Sequence, residues 1–196
     1  MARAVGFSLK NNIFILMNAV KLLPYYTYKD YCNWEGRWEL IEGIPFAMSP
    51  APTPRHQWLI ANIIFELKNA IKESKCKHCK VYDFIDVKIE EDTILQPDCS
   101  IVCKSINKKF LDFPAALVVE ILSPATALKD RHTKFSLYEK FGMKYYIIVD
   151  EEKSEVEIYC LKNSKYILQK ILPDTPFIFS LADDCQIEVL LKNIWE

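Results

Sequence analysis

Glycine is scarce: the chain has four in 196 residues. That excludes a Gly-rich phosphate-cradling loop. Neither sign of charge is in excess, with 25 Lys and Arg against 26 Asp and Glu and a formal net charge of −1. A histone-like or sliding electrostatic binder is therefore excluded, and any basic groups that meet nucleic acid must be local. There is no internal repeat, low-complexity tract or flexible linker. An apolar run of membrane-spanning length is lacking too. The nearest candidate, IFILMNAVKLL at residues 13–23, is too short and carries Asn18 and Lys21. Arg3 precedes it, but no convincing small-residue cleavage site follows. No membrane association is expected, and Met17 offers a second start. Residues 1–23 are read as an extension, with a helix, an extra strand or a poorly ordered segment left open. Seven cysteines without a signal peptide read as reduced thiols in a cytoplasmic protein, and the odd number argues against a complete disulfide framework.

What is present is a half-hydrophobic chain, enough for one compact domain over residues 24–196. TYKDYCNW predicts a short helix with Thr27 as N-cap and Asp30 at N3. RWELI and IPFAM, split by Glu42–Gly43, predict a β-hairpin turned by Gly43. Thr53 and Pro54 are N-cap and N1 of the strongest helix. His56, Leu59, Ile60, Ile63, Leu67, Ala70 and Ile71 fall on its apolar stripe. VYDFIDVKIE and ILQPDCSIV each predict one strand, with Pro97 marking an edge or bulge. LVVEIL is a third. DRHTKFSLYEKFG predicts a helix stopped by Gly142. KYYIIVD and EVEIYCL are further strands, the latter pairing with KYILQKIL. The order predicts a mixed α/β domain with a central sheet.

Three acids interrupt apolar strands: Glu39, Asp98 and Glu120. A lone ionised carboxylate within VVEIL would be costly to bury. If the Asp98 and Glu120 strands are neighbours, two carboxylates meet at one end of the sheet, and a divalent cation between them relieves the repulsion. Asp130, Lys134 and Tyr138 fall at i, i+4 and i+8 on the next helix, whose first turns can fold back over the strand end.

QPD…VVEIL resembles the PD-(D/E)xK nuclease superfamily. The likeness is closer to one branch, the Uma-type restriction endonuclease family, once filed as a domain of unknown function. TYKDY, WELIEG, MSPAPTPRHQ, QPD, VVEILSPAT, KDRHTKFSLYEKFG and KYYIIVD follow that pattern in order, across roughly residues 24–182. The resemblance implies a restriction-endonuclease-like fold, a central mixed β-sheet flanked by helices. It also implies metal-dependent hydrolysis of DNA phosphodiesters. Asp98, Glu120 and the Ile121 carbonyl would hold Mg²⁺ or Mn²⁺. Lys134 would assist the attacking water or the transition state, and Glu39 would join a second metal or hold a water. The superfamily places its lysine two residues after the glutamate on the same strand. Leu122 stands there, so the role passes to Lys134. The SPAT turn has Ala125 where the branch usually has Ser, which is read as turn chemistry.

His56, Asp130 and Tyr138 are expected to support the acids from behind. Lys104, Lys108 and Lys109, between the two metal-ligand strands, are expected to meet backbone phosphate without reading bases. A homodimer is expected, since cutting two strands needs two sites. The competing reading is a nuclease-fold protein without cleavage activity, serving as a nucleic-acid-binding or assembly module. CKHC at residues 76–79 is read as chance clustering, because no second CxxC occurs and His78 is only a third nearby ligand.

Overall fold

A computed structural model describes residues 24–48, 52–124, 126–172 and 174–196. The expectations for residues 1–23 and for Ala125 lie outside the described residues. Helix α1 (Tyr28–Tyr31) opens the domain. The Asp30 carboxylate accepts the Thr27 backbone N–H, the N3 half of a capping box, and also accepts from the Thr27 hydroxyl. Strands β1 (Trp38–Ile41) and β2 (Ile44–Ala47) form the expected hairpin. Its two loop residues, Glu42 and Gly43, both have positive φ, 49° and 77°. That is the geometry a two-residue hairpin turn needs.

Helix α2 (Pro54–Glu73) begins where Thr53 Oγ1 accepts the His56 N–H at 3.1 Å. Its buried residues are the seven of the predicted stripe.

The next segment departs from expectation. VYDFIDVKIE is not one strand but β3 (Lys80–Asp83) and β4 (Val87–Glu90). ILQPDCSIV likewise divides into β5 (Thr93–Leu95) and β6 (Cys99–Val102). Phe84 adopts a left-handed conformation and ends β3, while Pro97 has no N–H to extend a ladder. Both passages therefore switch sheets at the same level. Asp86 ties the crossing together, accepting from the Tyr31 hydroxyl at 3.0 Å and Gln96 Nε2 at 2.9 Å.

The result is a four-stranded antiparallel sheet ordered β2-β1-β5-β4 beside a larger one. The six-stranded sheet runs β10-β9-β8-β7-β6-β3. It contains β7 (Leu117–Leu122), β8 (Tyr145–Asp150), β9 (Glu155–Lys162) and β10 (Lys165–Leu168). All its pairs are antiparallel except β7 with β8. Between that pair the chain winds through a π-helical segment (Lys129–Lys134) and α3 (Phe135–Phe141), the helical connection a parallel pair demands. Gly142 closes α3 at φ 94°. The expected β9–β10 pairing is present.

β7 is buried on both faces, which explains its apolar run. Leu117, Val119 and Ile121 join the core that contains the α2 stripe. Val118 and Leu122 join the core that contains Tyr138 of α3. Glu120 therefore lies by alternation on the α3 side.

A C-terminal hairpin, β11 (Phe177–Ala182) with β12 (Cys185–Val189), was not anticipated, and a 3₁₀ turn (Leu191–Trp195) follows it. The cysteines also correct the earlier reading. Cys76 pairs with Cys185 and Cys79 with Cys103 in disulfides, leaving Cys32, Cys99 and Cys160 free. Neither a full set of thiols nor an incidental CKHC survives, because Cys103 and Cys185 come from segments distant in sequence. Among the described residues, no helix is long and apolar enough to cross a membrane.

Candidate active site

The sheet switch and the π turn assemble one buried polar cluster. Glu39, Asp98, Glu120, Asp130, Lys134 and His56 are each at most 7% exposed. Asp98 sits just where the chain passes from the small sheet to β6, and the register Cys99–Val119 carries it beside Glu120. Its Oδ2 accepts the Ile121 N–H at 2.8 Å. Its Oδ1 lies 3.4 Å from His56 Nε2 at the first turn of α2.

Glu39 comes from β1. Its Oε1 accepts the Gln96 N–H at 3.1 Å and lies 2.6 Å from Lys134 Nζ, while Oε2 pairs with Lys129. Glu120 Oε1 accepts from Lys134 Nζ at 2.8 Å and from the Tyr138 hydroxyl at 2.7 Å. Asp130 Oδ1 is 3.5 Å from Lys134 Nζ.

Lys134 thus reaches Glu120 from the helical connection that follows β7. Leu122, at the position the superfamily gives to lysine, is buried in the core. Lys129 was missed as a site residue. It and Lys134 are five positions apart and meet the same carboxylate. Five is the hydrogen-bond repeat of a π-helix, and in an α-helix the two would diverge. An α-helical periodicity therefore hides Lys129 from view. Gln96 was also missed. It links Glu39 to Asp86 and accepts from Arg37 Nε at 2.7 Å.

Carboxylates outnumber cations here, and burial decides who keeps the charge. Burial pushes the Glu120 carboxyl well above the usual range. Lys134 opposes that rise, while Asp130, Asp98 and Glu39 reinforce it. Burial acts the same way on Asp130, whose carboxyl is raised against the pull of Lys134. Burial works against Glu39 too, but Lys134 and Lys129 outweigh it and hold this acid below its ordinary value. Lys134 has the reverse case: burial disfavours its charge, yet Glu120, Glu39 and Asp130 raise its pKa well above that of a free lysine. Burial disfavours His56 protonation, but the hydrogen bond and charge of Asp98 raise it overall.

The three loop lysines are not brought to this cluster. Lys104, Lys108 and Lys109 are exposed on the connection that leaves β6 at Val102, the strand end away from Asp98. Lys108 is paired with Asp112 and lies over the Phe110 ring.

The resemblance implies a divalent ion at this cluster. The cluster offers hard carboxylate oxygens, as Mg²⁺ and Mn²⁺ prefer. Among the described residues, Asp130 Oδ1 is one of the few buried side-chain oxygens without a hydrogen-bond partner. Asp98 and Glu120 already accept from protein donors, but a carboxylate has about four lone-pair sites, so capacity remains. The residues fit a hard cation.

A mixed sheet with acids at one strand end and a lysine from the next helix defines a restriction-endonuclease-like protein. A solved structure bears this fold out: a "putative nuclease belonging to DUF820" from Anabaena variabilis ATCC 29413. It superposes with a TM-score of 0.68 at 15% identity, covering 87% of this chain and 97% of that one. Residues 25–185 match the Uma2 family, described as "Putative restriction endonuclease", and the chain belongs to that family. An uncharacterized protein of Synechocystis sp. (strain ATCC 27184 / PCC 6803 / Kazusa), slr1290, is 28% identical over 147 residues. The alignment spans 69% of this chain and 74% of that protein.

Proposed function

We propose that the chain is a Mg²⁺- or Mn²⁺-dependent endonuclease of the PD-(D/E)xK type that hydrolyses DNA phosphodiesters. One observation carries the reading. Glu39, Asp98, Glu120 and Lys134 come from four separate segments and converge in one buried cluster, with Lys134 bonded to Glu120. Structure alone gives no reason to gather these three acids in a core, since burial of charge is costly unless it is paired. In this reading Asp98, Glu120 and the Ile121 carbonyl hold the ion. When bound, the ion polarises a phosphoryl oxygen and acidifies its water. His56 and the Ile121 N–H fix the Asp98 carboxylate, and Tyr138 and Lys134 fix that of Glu120. Lys134 orients the attacking water or balances charge that builds on phosphorus. Glu39, held by Lys129 and Gln96, keeps Lys134 in place and serves a second ion or a water. The enzyme acts in the cytoplasm as a homodimer, so that two sites reach two strands.

The test is cleavage of plasmid and single-stranded DNA with Mg²⁺ or Mn²⁺, beside Asp98→Ala and Glu120→Gln. Metal-dependent nicking by the wild type and its loss in both folded variants is expected. Undiminished cleavage by folded Asp98→Ala refutes the assignment. The competing reading, a nucleic-acid-binding or assembly module, is favoured by how fully Lys134 is engaged and enclosed. DNA binding by the wild type with no cleavage under either metal would select it.

A further inference from the structure

We propose a second metal site, a thiolate-rich zinc centre at the opposite end of the sheet from the acids. It is built on Cys79, Cys103 and Cys185, with a fourth ligand from the turn that carries His78 and Cys76. It does not depend on the nuclease reading.

Three distant segments converge there. The first is the turn after α2. Ser74 Oγ accepts the Cys76 N–H at 2.9 Å, and the Cys79 N–H donates to the Cys76 carbonyl at 2.9 Å. That bond spans three residues and curls both cysteines of the CxxC toward one point. The second is the end of β6. Lys80 pairs with Val102, so the next residues outward, Cys79 and Cys103, face each other. The third is the C-terminal hairpin, where Cys185 begins β12 opposite Ala182.

The side chains meet at metal-ligand spacing. One ligand atom from each of His78, Cys79, Cys103 and Cys185 lies within 4.8 Å of all the others. Cys79 Sγ is 3.4 Å from Cys185 Sγ, although these two are not bonded to each other. Cys76 is bonded to Cys185. A tetrahedral ion with Zn–S bonds of about 2.3 Å holds its sulfurs roughly 3.8 Å apart. Cys76, Cys79 and Cys185 are buried and His78 is exposed, as suits a closed structural site at a domain edge. Cysteines that serve two independent disulfides have no reason to bring a sulfur of one bridge so close to the other. Ligands of a single ion do.

The disulfide-bonded chain is the oxidised form of this centre. Two equivalents of a dithiol reductant supply four electrons and four protons. They convert the two disulfides into four thiols and leave two oxidised dithiols. Zn²⁺ then binds with release of one proton per ligating thiol. The ion ties the hairpin β11–β12 to the end of α2 and to the β3–β6 edge.

The experiment uses the full chain purified under reductant without chelator. Expected are about one zinc ion per chain by elemental analysis, and stoichiometric Co²⁺ uptake with the visible bands of a tetrahedral thiolate complex. Cys79→Ser, Cys103→Ser and Cys185→Ser should each lose the zinc, and Cys99→Ser and Cys160→Ser should keep it. Of Cys76→Ser and His78→Ala, the one with weakened zinc retention identifies the fourth ligand. Since a cysteine variant can fail to fold, wild type is also compared in its reduced and oxidised forms: only the reduced form should develop the Co²⁺–thiolate bands. Folded, fully reduced wild type that binds neither Zn²⁺ nor Co²⁺ overturns the proposal. So does zinc that persists in the Cys79, Cys103 and Cys185 variants, which would place it elsewhere.

Discussion

Replacing Lys134 by Met should destabilise the metal-free protein by about 3–5 kcal/mol, as expected for removing one partner of a buried ion pair. Lys134 is 1% exposed, and its ammonium sits 2.6 Å from Glu39 and 2.8 Å from Glu120. At an effective dielectric of about 20, the contact with the Glu39 carboxylate is worth roughly 6 kcal/mol before desolvation. Burying the lysine offsets several kcal/mol of that. What remains in the variant is a core with Glu39, Glu120 and Asp130 facing an apolar side chain. Lys134 has a raised folded pKa, so its stabilisation is fully present below the free-lysine value. It fades only as pH rises through the higher folded value. Measurement at pH 7 lies well inside that window. Glu120 is shifted in the same direction, but its window lies lower: its carboxyl is raised in the fold, so ionisation opposes folding once pH passes the unfolded value. Adding Glu120→Gln to Lys134→Met should therefore recover part of the loss. The assay is urea unfolding of wild type, both single variants and the double variant at pH 7 with chelator present. A loss below about 1 kcal/mol for Lys134→Met, within the range of an exposed pair, would refute the reasoning. So would strictly additive variants, since contacting charges should couple.

Other outcomes follow from single contacts. The His56 ring, followed by NMR in metal-free protein, should titrate above 6.5, and Asp98→Asn should lower its midpoint. Because the folded value is raised, the stability His56 contributes is present below 6.5 and lost as pH rises through that midpoint. An unmoved midpoint would show that Asp98 is not the cause. Gly43→Ala should cost about 1–2 kcal/mol in urea unfolding, because φ is +77° there and the new Cβ would fall 2.3 Å from the Tyr25 ring. Thr53→Ala should cost about 1 kcal/mol through the lost cap on the His56 N–H, whereas Thr53→Ser should cost little.

Local patterns were legible wherever a residue's neighbours in sequence are also its neighbours in space. The α2 stripe, the Thr53 cap, the Gly43 turn and the doubly apolar β7 are of this kind, since helix pitch and strand alternation set them within a few residues. Asp98, Glu120 and Lys134 could be named because Pro97, the VVEIL run and the helix after it carry them in a recognisable order. Their meeting depended on β6 lying beside β7. Tertiary structure alone decided that VYDFIDVKIE and ILQPDCSIV each cross between two sheets. It also set the π turn that swings Lys129 onto Glu39. The fate of the cysteines belongs to the same level. From sequence, Cys76 and Cys79 lack partners. In the fold, Cys103 and Cys185 arrive from strands 24 and 109 residues away from theirs. Contacts of that range depend on which sheets pair and which faces bury. That is settled by the whole core at once and leaves no periodic mark on the chain.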